Sequence, residues 1–291
     1  MDKDEEIVEV KCKDERIEQV LLRIMAELRN VKGLSAIVLG GSRATGTDRP
    51  ESDVDIGLYY SQAEALDLAE LRAKATSLDD ERREGLLTGI GEWGPGVNGG
   101  GWLVVDGYPV DLLYRDMGAV EQAIEECTRG DVRCHYQTGH PHAFLNSMYM
   151  GEAASCRILW QQDDRLAKLK EKTAPYPPAL KAAMIGRFLF EAKFSLMLME
   201  KAAETDDIAY IAGHGFRSVS SLNQVLFAVN ERYCLNEKKA VSRIEGFEMR
   251  PELYASRVAE VFSGIGSDGD RLKGSLVALR KLIDESEKWC R

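Results

Sequence analysis

Apolar residues Ile17, Leu21, Ile24 and Leu28 recur at i, i+4, i+7 and i+11, which is one face of a 3.6-residue period. They predict a helix over 14–29, ended by Lys32-Gly33. The run Leu34 to Leu39 (LSAIVL) predicts a buried strand. Gly40-Gly41-Ser42 and a polar loop with Pro50 follow, and Val54 to Tyr60 predicts a second strand. Residues 62–87 read as a charged helix. The stretch 91–101, GEWGPGVNGGG, holds six glycines and a proline and reads as a flexible loop within a domain, because strand signals resume at once. Trp102 to Val105 and Tyr108 to Tyr114 flank Asp106-Gly107 and predict a hairpin. Residues 117–128 predict a helix, capped by Asp116, and 131–175 carry a mixed pattern.

Ala174-Pro175-Tyr176-Pro177-Pro178 interrupts this texture, because closely spaced prolines stop helices and stiffen the chain. Beyond it, 179–203, 206–232, 251–263 and 269–288 all read as helices. The expected fold class is α+β: a small mixed sheet with flanking helices over 1–174, followed by an all-helical bundle over 175–291 that lines the cleft. Helix 179–203 is apolar almost all round and is expected at the bundle's centre, with Arg187 and Glu191 spaced for an ion pair. In the helix from 206, Ile208, Ala212, Val219, Leu222 and Leu226 form an apolar stripe. Tyr210, His214, Arg217, Ser221 and Gln224 line the other side, as a cleft wall or as a buried polar network between helices.

Composition narrows the classes. The chain has 291 residues, is 44% hydrophobic and 30% charged, and so can bury a sizeable core. A net charge of −10 argues against a nucleic-acid partner, whose phosphates favour a basic field. Cys12, Cys127, Cys134, Cys156, Cys234 and Cys290 are scattered, with no C-x-x-C pair. The acidic start MDKDEEIVEV has no apolar signal core, and no run approaches a membrane span. These features suggest a cytoplasmic protein with reduced, buried thiols and no membrane partner; a homodimer is compatible with them. Cys134, His135, His140 and His142 match no standard zinc spacing.

The chemistry concentrates in 39–60. Residues i and i+2 of a strand share a face, so Asp53 and Asp55 aim together while Val54 and Ile56 aim at the core. In 108–114, Val110 and Leu112 take one face and Asp111 the other. If the two strands are neighbours, three carboxylates converge, and they stay ionised together only around cations. Hard divalent ions with oxygen ligands fit, and a pair of them clamps the attacking and leaving oxygens of a phosphoryl displacement. Gly40-Gly41-Ser42 adds a phosphate cradle, since glycines let backbone amides approach closely and serine adds a donor.

Gly41-Ser42, Asp53-Val54-Asp55 and Asp111, with ten residues between Ser42 and Asp53, resemble the nucleotidyltransferase superfamily of DNA polymerase beta, poly(A) polymerases and the aminoglycoside and lincosamide adenylyltransferases. The motif resemblance spans about 34–115, and the helical region behind it is similar to that of the antibiotic-modifying members. It implies that Asp53 and Asp55 bind two magnesium ions, and that Asp111 binds the catalytic one and helps deprotonate the acceptor. It also implies that Gly40, Gly41 and Ser42 hold the β and γ phosphates of a nucleoside triphosphate. The implied activity is transfer of a nucleoside monophosphate, AMP from ATP, to a hydroxyl of a small-molecule acceptor such as an aminoglycoside-like antibiotic, with release of pyrophosphate.

Arg43 is either a phosphate ligand or a solvated charge, and Arg217 is the candidate triphosphate contact from the helical region. Trp93 could stack on a base from the glycine loop, or the loop could be a plain connector. Glu92 is an alternative general base. Alternative functions are nucleotidyl transfer to a protein, a non-catalytic nucleotide-binding or antitoxin-like module, and a metal-dependent hydrolase. The three carboxylates count against the second, and Gly-Ser before Asp-x-Asp disfavours the third.

Overall fold

A computed structural model describes residues 15–61, 64–205 and 207–290. The acidic N-terminal stretch with Cys12, the first residue of the helix expected from 14, residues 62–63 and the helix start at 206 lie outside the described residues. In chain order the elements begin α1 (Glu15–Leu28), β1 (Leu34–Leu39), α2 (Gly41–Thr45), β2 (Val54–Tyr60), α3 (Leu68–Leu78), β3 (Gly100–Val105), β4 (Tyr108–Asp116) and α4 (Met117–Arg129). They continue β5 (Cys134–His135), β6 (Phe144–Leu145), α5 (Asn146–Ser155), β7 (Arg157–Gln161) and α6 (Arg165–Glu171). The remainder is α7 (Pro178–Ala202), α8 (Ile208–Val229), α9 (Ala240–Ile244), α10 (Tyr254–Ser263) and α11 (Gly269–Glu287). No described helix is long and apolar enough to cross a membrane.

The chain forms two compact units, Met1–Gln122 with Glu152–Glu171, and Ala123–Gly151 with Lys172–Arg291. The sequence placed one boundary at 174.

The first unit is built on a five-stranded mixed sheet of order β3-β4-β2-β1-β7. Only the β2–β4 pair is parallel among these neighbours; the others run antiparallel. Ile37, Leu39, Val54, Ile56, Leu58, Val110, Leu112 and Leu103 share one buried core with Ile17, Leu21, Ile24 and Leu28 of α1 and Leu71 and Ala75 of α3. One sheet face thus lies under helices, as the period-2 pattern of β2 and β4 requires. Alternate positions, with Asp55 and Asp111 among them, fall on the other face.

Two sequence expectations change here. The helix expected over 62–87 is only Leu68–Leu78. Asp67 caps its start by accepting from Glu70 N at 2.9 Å. At its end the fully buried Asp79 takes Arg83 at 2.6 Å and the backbone N–H of Val104 at 2.9 Å, turning the chain toward β3. The charged run after Leu78 has a helix-like composition but serves this turn. β7 was hidden in the mixed stretch; it pairs with β1 at the sheet edge, and all five of its residues are half-buried. So short a strand carries little periodic signal.

The second unit centres on α7 and α8, whose buried residues form a core with those of α9, α10 and α11. α7 is not buried all round: Phe190 is 67% exposed and stacks on Phe194, their ring centroids 5.7 Å apart. Its Arg187 donates to Val132 O at 2.8 Å, while Glu191 pairs with Arg217 at 2.7 Å in place of the expected partner Arg187. Burial pushes the thiols of Cys127 and Cys234 up to about 12 and that of Cys156 to about 11, which leaves them protonated and unreactive near neutral pH.

Candidate active site

Parallel pairing sets Asp55 of β2 directly beside Asp111 of β4. Adjacent strands lie about 4.8 Å apart, so two half-buried carboxylate positions neighbour each other on the sheet face opposite the α1–α3 core. Asp53 precedes β2 by one residue, on the same parity as Asp55, and is exposed. All three positions belong to the first unit. Among the described residues, no group of three His, Cys, Asp or Glu side chains is closed tightly enough to hold a metal ion.

Gly40 extends the ladder past the end of β1, its N–H donating to Asp55 O at 2.8 Å. That bond holds the Gly40-Gly41-Ser42 turn at the level of Asp55. Gly41 opens α2 with φ +60°, and a Cβ there would sit 1.8 Å from Asp55 Oδ2. Only a residue without a side chain lets this backbone lie against that carboxylate. The observation fits the expected site in two ways: the donor set is all carboxylate oxygen, suited to a hard cation, and the turn leaves its backbone open beside it.

Arg43 is buried, and its guanidinium is turned toward the chain itself. Nε donates to Ser52 O at 3.1 Å and to Asp53 O at 3.2 Å; Nη2 reaches Pro50 O at 3.4 Å, and Nη1 reaches Asp48 at 3.4 Å. The group stacks over Tyr108 at 6.0 Å. Arg43 therefore anchors the 48–53 loop that carries Asp53, a role distinct from both sequence alternatives.

The glycine loop is held firmly. Asn98, at φ 71°, donates to Tyr60 Oη at 2.7 Å and accepts from Gly91 N at 2.8 Å. Arg115 donates to Val97 O at 3.0 Å and is itself fixed by Glu152 at 2.6 Å. Sequence inspection missed Asn98, Arg115 and Glu152; the dipeptide Asn98-Gly99, a turn signal, was the one available hint. This loop seats Trp93 on Trp102, ring centroids 4.7 Å apart and tilted by 32°. Trp102 is the cross-strand partner of Asp111 and is 61% exposed.

Arg217 lies in the second unit. Its partner Glu191 also meets His142 Nε2 at 3.2 Å, and Ser221 Oγ lies 3.4 Å from the same nitrogen. Burial alone would push the Glu191 carboxyl up; the His142 hydrogen bond and the Arg217 charge reverse this and hold it below its usual range. Ser221 and Gln224 are buried, so the polar side of α8 is a packed network from 218 onward, while Tyr210 and Arg217 stay exposed. His140 sits 3.2 Å from Glu237, whose other oxygen accepts from the N–H of His142 and Ala143.

Residues 19–90 match the family described as "Nucleotidyltransferase domain". The span contains Gly40, Gly41, Ser42, Asp53 and Asp55 and stops before Asp111. No curated protein sequence matches the chain. A nucleotidyltransferase-like protein from Exiguobacterium sibiricum is similar in structure, with 10% identity over 94% of this chain and 78% of that one, at a TM-score of 0.44. The Elizabethkingia meningoseptica CdnE cyclic dinucleotide synthase, solved with GTP and Apcpp, is 14% identical over 96% of this chain and 79% of its own, at 0.24. A chain of the E. coli MS115-1 CdnC:HORMA-deltaN complex is 12% identical over 94% of this chain and 90% of its own, at 0.25. Such loose likenesses decide nothing about substrate or partner. Residues 19–90, which hold the tight turn after β1 and the Asp53-Val54-Asp55 entry to β2, thus carry a nucleotidyltransferase domain, and the chain is an enzyme of that class.

Proposed function

We propose that the protein transfers a nucleoside monophosphate, AMP from ATP, to a hydroxyl of a small-molecule acceptor and releases pyrophosphate, using magnesium. The observation that carries this reading is the register that makes Asp55 and Asp111 direct neighbours, with the Gly41 backbone against Asp55. Asp53, Asp55 and Asp111 would hold two magnesium ions, which when bound would neutralise the triphosphate and activate the acceptor oxygen.

The chain's own residues divide the remaining work. The open amides around Gly41 and the Ser42 hydroxyl bind the β and γ phosphates. Arg43 keeps the 48–53 loop in place so that Asp53 faces the phosphates. Asp111 takes the proton of the acceptor hydroxyl on a carboxylate oxygen. The acceptor oxygen forms a bond to the α phosphorus, the bond from that phosphorus to the β-bridging oxygen breaks, and pyrophosphate carries the electron pair away. Catalysis is mostly positioning and charge neutralisation. The net charge of −10 disfavours a polyanionic acceptor.

Calorimetric binding of each nucleoside triphosphate with magnesium to wild type and to Asp53→Asn/Asp55→Asn tests the reading without knowledge of the acceptor. Magnesium-dependent binding that the double variant loses is the expected result. A wild type that binds none of the four triphosphates would overturn it.

A further inference from the structure

We propose that Trp93 and Trp102 form a platform that seats a planar aromatic ring of the acceptor beside Asp111; the assignment rests on the donor site proposed above. Single exposed apolar residues are ordinary on protein surfaces. Here a second indole is brought onto the first by a loop fixed at Asn98 to Tyr60 and at Val97 to Arg115. Trp102 is opposite Asp111 in the β3–β4 ladder, so its side chain shares the carboxylate face.

The order across that face assigns the occupant. It runs from the Gly40-Gly41-Ser42 turn at the end of β1, to Asp55 on β2, Asp111 on β4 and Trp102 on β3. With the β and γ phosphates on the turn, pyrophosphate departs toward β1. In-line displacement brings the attacking hydroxyl from the opposite side, toward β3. The platform is one strand, about 4.8 Å, beyond Asp111 in that direction. It therefore meets the acceptor rather than the phosphates. A cationic group in this place would be drawn onto the Asp111 carboxylate and compete with the metal. A neutral planar ring gains from the indole faces alone, as bases stacked on aromatic side chains do.

The test is tryptophan fluorescence quenching with magnesium and the non-transferable α,β-methylene analogue of ATP held at saturation. Adenosine and N-acetyltyrosinamide serve as neutral, planar, hydroxyl-bearing probes, and ribose and kanamycin as non-planar ones. Saturable quenching by a planar probe, weakened at least about tenfold in Trp102→Ala and restored in Trp102→Phe, is expected. Calorimetry should give the same affinity for the ATP analogue, within about twofold, in wild type and Trp102→Ala. Trp102 is an exposed edge-strand residue, and an unchanged analogue affinity also shows that the variant is folded. Quenching by neither planar probe, quenching by kanamycin or ribose instead, or loss of analogue affinity in Trp102→Ala would each overturn the platform while leaving the donor site standing. Failure of wild type to bind the analogue would overturn the donor site and the acceptor assignment with it.

Discussion

Asp55 and Asp111 occupy opposed positions of a parallel ladder, so two carboxylates share one sheet face at neighbouring strands. Like charges placed so closely cost stability, and the cost is tolerated where it serves chemistry. Asp111→Asn should therefore raise stability by about 0.2–1 kcal/mol while lowering transfer by roughly 10²–10³-fold. Urea denaturation of the apoprotein and pyrophosphate release with magnesium check the two halves. A variant that is both less stable and fully active would refute the assignment.

Gly41 and Gly46 separate strain from crowding. Both have positive φ, +60° and +67°, but a Cβ at Gly46 meets nothing within 4 Å. Gly46→Ala should cost about 1–2 kcal/mol and keep magnesium–nucleotide affinity. Gly41→Ala adds a collision with Asp55 and should cost roughly 2–5 kcal/mol and abolish that affinity. Denaturation and calorimetry on the pair read the difference.

Arg43→Met should lower stability by about 1.5–3 kcal/mol, because the Ser52 and Asp53 carbonyls lose a charged donor. Arg43→Lys should recover little, since one ammonium cannot reproduce the planar fork. Limited proteolysis should show earlier cleavage within 46–53 in both variants. A guanidinium serving only phosphate would leave the proteolysis pattern of the apoprotein unchanged.

Asp79 gives the fold an acid-sensitive joint. The Arg83 hydrogen bond, helped by the Val104 and Arg83 backbone N–H groups, holds its carboxyl far below the usual range despite burial. A depressed folded pKa contributes stability that is fully present above the unfolded value, about 3.9, and is lost as pH falls below it. Urea midpoints of wild type should fall between pH 5 and pH 3 more steeply than those of Asp79→Asn. Parallel curves would contradict the joint's role.

Much of this was legible in the sequence. LSAIVL, Val54 to Tyr60 and Asp106-Gly107 announced β1, β2 and the β3–β4 hairpin because apolar period and turn chemistry are local signals. The pairing of Asp55 with Asp111 followed from parity once the strands adjoined. Arg43 was illegible because its partners are backbone carbonyls, which leave no side-chain signature. The polar side of α8 could not be resolved between a cleft wall and a buried network, because the burial of Ser221 and Gln224 comes from distant segments of the chain. β7 escaped because an edge strand of five residues carries almost no period.

The interleaving of the two units has a consequence for biosynthesis. The chain leaves the first unit after Gln122 and returns at Glu152, bringing β7 to the free side of β1. A nascent chain that has emerged only to Gln122 holds β1 with one side unpaired, an edge open to strands of neighbouring chains. That edge closes only when residues 157–161 have been translated, after the 123–151 segment of the other unit. A truncation that ends at residue 122 should therefore aggregate rather than yield a free-standing first unit.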